Sequence, residues 1–185
     1  MDKKALRFEI KQKLKTLTIE EIESKSSKLS LNLLQLLEQI SRQKGFRSLG
    51  CFNPIQQEPL WFLRFKPDAY DYLLVHMHLD QTLSFHPVEF EGFDHKVFHL
   101  ELHESLLVHS GTPEVLLVPG LAFTQKGERL GRGKAYFDKY LSSFKGVTIG
   151  LGFEMQVVKE LQTEAHDMKL DYIVTEKDIY KGNIK

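Results

Sequence analysis

Four apolar residues, Val115 to Val118, run into Pro119-Gly120 and from there into a basic, glycine-rich loop, so that Leu116 to Leu141 reads LLVPGLAFTQKGERLGRGKAYFDKYL. An apolar, partly β-branched run stopped by Pro-Gly is the pattern of a buried strand ending at a turn, after which the chain leaves the sheet. Gly127, Gly131 and Gly133 permit backbone conformations that a Cβ opposes, so peptide N–H groups can approach a ligand closely. Arg129, Arg132 and Lys134 add positive charge, and from about Gly133 onward Tyr136, Tyr140 and Leu141 fall at helical spacing. Strand, glycine loop and helix start, in that order, build an anion site whose natural guest is phosphate. A Walker A loop does not fit, because five residues separate Gly127 from Gly133-Lys134 and Ala135 stands where Ser or Thr would follow. Neither does a dinucleotide fingerprint begun at Gly131, which would need glycine in place of Tyr136. The bland alternative is a basic surface turn capping a helix.

A chain of 185 residues with 42% hydrophobic content is long enough for one sizeable core and short for two, which predicts a single domain over residues 1–185. Leu6, Ile10 and Leu14 mark one face of a helix over residues 2–16. Thr18 and Glu21 form a capping box for a second helix, whose stripe of Ile22, Leu29, Leu33, Leu36, Leu37 and Ile40 stops at Gly45. Strands are expected at 48–52, 72–75, 82–86, 115–118, 147–151 and 172–174, with helical stretches at 59–65, 133–144 and 156–162. The alternation predicts an α/β fold: a mostly parallel sheet flanked by helices in a Rossmann-like three-layer arrangement, preceded by two N-terminal helices that pack on the sheet. Ligands of such sheets collect beyond the carboxyl ends of the strands, and Phe52-Asn53-Pro54 and Val118-Pro119-Gly120 are both carboxyl ends. Two segments chosen independently thus point to one crevice.

Lys plus Arg equals Asp plus Glu at 25 each, which argues against generic nucleic-acid binding through a broad cationic field and for a compact anion at the local cluster. A lone cysteine, Cys51, rules out an intrachain disulfide framework, suits a reducing cytoplasm and is expected to be a buried packing residue. No apolar stretch approaches the ~20 residues of a membrane span, and Met1-Asp2-Lys3-Lys4 leads into a charged helix, so a cytoplasmic location without membrane attachment is expected. Seven of the eight histidines fall between His76 and His109, yet no zinc-type spacing with a third ligand follows, and structural or exposed roles are expected. Trp61 and Phe62 read as core or pocket wall, since no basic residues interleave with them as in a stacking platform.

The long segment resembles the 5-formyltetrahydrofolate cyclo-ligases, or 5,10-methenyltetrahydrofolate synthetases. In register with that family's signature stand Pro119, Gly120, Phe123, Gly127, Arg129, Leu130, Gly131, Arg132, Gly133, Tyr136 and Asp138. Ala135 replaces a glycine of the pattern and Phe137 a tyrosine. Lys3-Lys4-Ala5-Leu6-Arg7 looks like the family's basic, ATP-contacting opening, and Phe52-Asn53-Pro54-Ile55-Gln56-Gln57-Glu58 is similar to its strand-end folate segment. His166-Asp167-Met168-Lys169-Leu170-Asp171, followed by Tyr172 to Glu176, matches its final Asp-containing turn and strand. Between about Lys66 and Ser110 there is no clean copy of the family's Gly-Ile-x-Glu-Pro segment, and Val88-Glu89-Phe90-Glu91-Gly92-Phe93 is a loose substitute.

The resemblance implies an enzyme of one-carbon metabolism, an ATP-dependent ligase using Mg²⁺, that closes 5-formyltetrahydrofolate, with or without a polyglutamate tail, to 5,10-methenyltetrahydrofolate through an N5-iminium phosphate. It implies nucleotide contacts from Lys3, Lys4, Arg7, Arg129, Leu130, Gly131, Arg132, Gly133, Lys134, Ala135, Tyr136 and Phe137. Substrate contacts would come from Asn53, Glu58, Arg132, Gly133, Lys134, Ala135 and Tyr136, and catalysis from Lys4, Arg132 and Lys134. Asp138 and Asp167 would hold Mg²⁺, whereas their residues alone also allow an i,i+4 salt bridge from Asp138 to Lys134 and a turn cap at Asp167. The expected partner is a small-molecule substrate of a monomer. If position 135 requires a positive φ, alanine there costs roughly 1 kcal/mol or more and its methyl crowds the ligand. Two rival readings stand beside the ligase: a diverged module that binds nucleotide or folate without turnover, and a kinase-like phosphotransferase with another acceptor.

Overall fold

The computed structural model describes residues 2–66, 68–88, 110–162, 164 and 168–182. Helix α1 spans Lys3–Lys15 and α2 spans Ile19–Lys44. The turn between them is secured by the expected capping box: Glu21 N–H donates to Thr18 Oγ1 at 3.2 Å, and Thr18 N–H to the Glu21 carboxylate at 2.9 Å. Strands follow as β1 Ser48–Cys51, β2 Asp71–Met77, β3 Leu83–Pro87, β4 Val115–Pro119, β5 Ala122–Phe123 and β6 Arg129–Leu130. Helix α3 Tyr136–Leu141, β7 Val147–Leu151, β8 Tyr172–Val174 and β9 Ile179–Lys181 complete the described chain.

Seven strands form one sheet in the order β3-β2-β1-β4-β7-β8-β9. The pairs among β2, β1, β4, β7 and β8 are parallel, while β3 and β9 close the two edges antiparallel. From β1 the chain builds outward through β2 and β3, then returns to the other side of β1 as β4. Strand order therefore reverses between β1 and β4, the switch point at whose carboxyl ends sheets of this kind collect their ligands. Side chains alternating along the strands supply two cores. Leu49, Leu74, Leu117, Ile149 and Val174 meet Leu29, Leu33, Leu36 and Leu37 of α2 on one face. Leu116, Val118 and Ile173 meet Phe137, Leu141 and Phe144, from α3 and its exit, on the other. The result is the three-layer α/β arrangement expected from the sequence.

Several local expectations give way. Residues 59–65 form consecutive turns in place of a helix. Two of their backbone donors go to α2, Leu60 N–H to Ser26 Oγ at 3.0 Å and Arg64 N–H to Ser30 Oγ at 3.1 Å, while Trp61, Leu63 and Phe65 N–H close short turns onto Pro59, Leu60 and Phe62 O. The stretch expected to be helical over 156–162 is a single 3₁₀ turn, Glu154–Gln156, after which Val157 bridges Phe123 in parallel and Val158 N–H donates to Phe123 O at 2.8 Å. Two consecutive β-branched valines favour that extended pairing. The helix expected over 133–144 is trimmed to α3 because Ala135 takes a left-handed conformation, φ 56° and ψ 7°, at its start. Of the two N-terminal helices, α2 packs on the sheet as expected. Helix α1 does not: Leu6, Ile10 and Leu14 pack against Leu121, Ala122, Leu130 and Phe153. Its seat is the small β5–β6 hairpin beyond the end of β4. That hairpin and β9 are too short to leave a periodic signal in the sequence.

Candidate active site

The loop leaving β1 and the glycine loop beyond β4 meet through one ion pair. Arg132 places Nε and Nη2 at 3.0 and 2.8 Å from Glu58 Oε1. Glu58 sits at the end of a tight turn in which its other carboxylate oxygen accepts Ile55 N–H at 3.0 Å and its own N–H donates to Ile55 O at 2.9 Å. Gln57 adopts φ 68° to make that turn. The Glu58 side chain is 7% exposed against 36% for Arg132, so the acid lies inside the protein and the guanidinium faces outward over it. Asn53, at the exit of β1, is exposed, and Trp61 behind it is fully buried with its ring N–H on Phe52 O at 2.9 Å.

The glycine loop is folded tightly before it reaches solvent. Leu121 N–H donates to Leu130 O at 2.8 Å and Thr124 N–H to Glu128 O at 2.9 Å, which closes the β5–β6 hairpin through Gly127 at φ 86°. A Cβ on Gly127 would lie 2.2 Å from Leu170 O, so this glycine is required by close packing. Gly133 has φ 99° and is exposed, as are Arg132, Lys134 and Ala135; Gly131 and Tyr136 are half-buried, and Leu130 and Phe137 are buried. Position 135 therefore does carry the positive φ that alanine tolerates poorly.

The remaining cations are distributed unequally. Arg7, one turn into α1, donates from Nε to Gly131 O at 2.9 Å and so ties the basic opening to the loop. Lys3 pairs with Glu164 at 2.9 Å, whereas Lys4 is exposed. Arg129 is buried, with its side chain 5% exposed; it donates to Pro119 O at 2.8 Å and pairs with Asp138. Asp138 is thus held by Arg129 and not by Lys134. Its carboxylate, 35% exposed, remains a hard oxygen donor at the end of the basic loop, which suits a Mg²⁺ ion bound through one or two carboxylates and phosphate oxygens. Asp167 lies outside the described residues, as does most of the loosely matching stretch from Lys66 to Ser110. Among the described residues no group of three or more His, Cys, Asp or Glu could hold a metal ion. His78 and His86 share Ser84 Oγ, each at 2.7 Å.

Sequence reasoning missed Gln156. Its buried amide donates to Gly120 O at 3.0 Å and Leu121 O at 3.1 Å and accepts Phe153 N–H at 2.7 Å, fixing the Pro-Gly bend from below. No spacing rule marks such a residue, because its three partners come together only in the fold. Glu154 was missed for the same reason: it accepts from Thr175 Oγ1 and from Tyr180 OH, both at 2.8 Å.

A mostly parallel sheet with a switch point between β1 and β4, and a glycine loop there that exposes Arg132 and Lys134, define an α/β protein with a cation-bearing loop at the carboxyl ends of its strands. Residues 95–176 match the model of the 5-formyltetrahydrofolate cyclo-ligase family. The 5-formyltetrahydrofolate cyclo-ligase of Mus musculus is 27% identical over 194 residues, a match covering 94% of this chain and 93% of the relative. The 5,10-methenyltetrahydrofolate synthetase structure from Aquifex aeolicus superposes with a TM-score of 0.72 at 24% identity, over 100% of this chain and 95% of the other. That from Mycoplasma pneumoniae gives 0.71 at 22% identity, over 95% and 99% respectively. The two structures establish the fold, and the sequence matches bear out the resemblance: the chain is similar to a 5-formyltetrahydrofolate cyclo-ligase along nearly its whole length.

Proposed function

We propose that the protein catalyses the ATP- and Mg²⁺-dependent closure of 5-formyltetrahydrofolate to 5,10-methenyltetrahydrofolate, releasing ADP and phosphate. The observation that carries this reading is the Arg132–Glu58 pair, since a residue of the nucleotide loop and a residue of the folate segment meet directly.

The formyl oxygen attacks the γ-phosphorus as the bond to the β-phosphate oxygen breaks and ADP departs, leaving an N5-iminium phosphate. The N10 lone pair then adds to the formyl carbon, the C–O bond breaks with loss of phosphate, and the N10 proton is released. Formyl oxygen is a poor leaving group, and phosphorylation makes its departure feasible. The chain's part is positioning and charge stabilisation, with no covalent nucleophile. Lys4, exposed in the first turn of α1, and Lys134, exposed on the loop, offset charge on the phosphates, and Arg132 reaches between phosphate and formyl group. Glu58 and Asn53 address the pterin. Backbone of Gly131 and Gly133 to Phe137 lies against the nucleotide, with Arg7 and Lys3 supporting it from α1. Asp138, with Asp167, would hold Mg²⁺, which supplies charge neutralisation between phosphates. We also infer a cytoplasmic monomer acting on free or polyglutamylated substrate.

Absorbance in the methenyltetrahydrofolate band after mixing protein, Mg-ATP and 5-formyltetrahydrofolate tests the reading. An ATP-dependent rise that is lost in Asp138→Ala is expected. The left-handed Ala135 favours a second reading, a diverged protein that binds without turnover. Binding of ATP with no rise, unchanged in Ala135→Gly, would select it.

A further inference from the structure

We infer that Arg129 is a positioning residue and not a phosphate ligand: it is the internal strut that sets the shape of the glycine loop and aims Asp138. This rests on the nucleotide-site reading above. One guanidinium nitrogen takes Pro119 O, at the carboxyl end of β4, and the other takes the Asp138 carboxylate on α3. The guanidinium carbon lies 5.8 Å from the centre of the Phe137 ring, so a third contact holds the same group on the same helix. The loop backbone is moulded around it. A Cβ on Gly131 would fall 3.1 Å from Arg129 Nη2 and 3.2 Å from Nη1, and one on Gly120 would fall 3.2 Å from Arg129 Cγ. Gly131 of the signature is thus explained by close approach to this arginine, independently of any ligand, whereas a Cβ on Gly120 would meet the Phe123 ring first, at 2.5 Å.

The side chain is 5% exposed, with one nitrogen on a carbonyl and another on a carboxylate. Turning it toward a phosphate would leave Pro119 O unpaired and the Asp138 carboxylate without its cation. Lys4 and Lys134 are exposed, and Arg132 lies outermost on its pair, so those three can reach a phosphate without dismantling the loop. Arg129 acts through Asp138 and through the path of Gly131 to Ala135.

Arg129→Met and Arg129→Lys separate the two roles with three readings: amide hydrogen exchange over 131–138, equilibrium binding of ATP in EDTA, and steady-state kinetics. A strut predicts faster exchange across the loop in nucleotide-free Arg129→Met and a metal-free ATP affinity lowered by less than about tenfold, because Lys4, Arg132 and Lys134 keep their phosphate contacts while the loop backbone loosens. It further predicts a kcat lower by about 10–100-fold, as for loss of a residue that orients a metal ligand, with KM for ATP little changed. Arg129→Lys restores part of both losses. Unchanged exchange, or metal-free ATP affinity lower by about tenfold or more, overturns the inference. Should Arg129→Met fail to fold, the exchange and binding readings on Arg129→Lys decide alone. Wild-type protein without turnover would refute the ligase reading, while exchange and ATP binding would still judge the strut.

Discussion

Ala135 holds a left-handed backbone at φ 56° in an exposed loop, with no side-chain hydrogen bond capping the helix it precedes. Its methyl opposes that conformation by about 1–2 kcal/mol, of which glycine's extra freedom in the unfolded chain takes back part. Ala135→Gly is therefore expected to raise stability by about 0.5–1 kcal/mol, read as a higher urea midpoint with unchanged slope, and to raise turnover by letting a ligand approach the backbone. Glu58 is the buried partner of the Arg132 pair. Glu58→Gln removes the charge but keeps the shape, so a KM for 5-formyltetrahydrofolate higher by about tenfold is expected, with KM for ATP nearly unchanged. Cys51 is fully buried beneath α2, and burial alone pushes its thiol well above the ordinary range. The native protein should resist thiol-disulfide reagents at neutral pH and react once unfolded, as followed by reagent absorbance.

At the scale of elements, α2 does more than cover the sheet. Ser30 Oγ donates to Trp61 O at 2.7 Å and accepts Arg64 N–H at 3.1 Å, so one buried hydroxyl satisfies two backbone groups of the segment that carries Glu58. Ser30→Ala strands both and is expected to cost about 1–3 kcal/mol in chemical denaturation. This is part of why the run 59–65 is not a helix: Leu60 and Arg64 N–H find partners on a neighbouring element, which a local pattern cannot reveal. The β2–β3 hairpin titrates for a similar reason. Burial first, then the neighbouring imidazoles of His78 and His86, lower the pKa of His76. A depressed histidine pKa means that the unfolded chain binds the proton more tightly, so this contribution is present above the unfolded value of about 6.5 and is lost as pH falls through the folded value. The drop in denaturation midpoint between about pH 7.5 and pH 5.5 should shrink in His76→Gln.

For the molecule as a whole, both cores share the central strands, and Trp61, the single tryptophan, is fully buried in one of them. Unfolding followed by tryptophan fluorescence and by far-ultraviolet circular dichroism should therefore coincide, and Leu117→Ala should lower stability by about 2–5 kcal/mol in both signals. The sequence by itself determined the strands expected at 48–52, 115–118, 147–151 and 172–174, which the fold places at 48–51, 115–119, 147–151 and 172–174, the capping box at Thr18 and Glu21, and the loop from Pro119 to Asp138. These are legible because apolar runs, helical stripes and Gly or Pro punctuation act over a few residues and leave a local record. That the loops beyond β1 and β4 come together was legible as well, from their shared place at carboxyl ends. What the tertiary structure decided was the assignment of charges that look alike in sequence. Arg129 and Arg132 stand three residues apart, yet one is buried against Pro119 O and Asp138 while the other reaches across to Glu58. The partners lie 10, 9 and 74 residues away along the chain, and such pairings are set by the crossing of strands and the burial of each side chain, which no local spacing encodes.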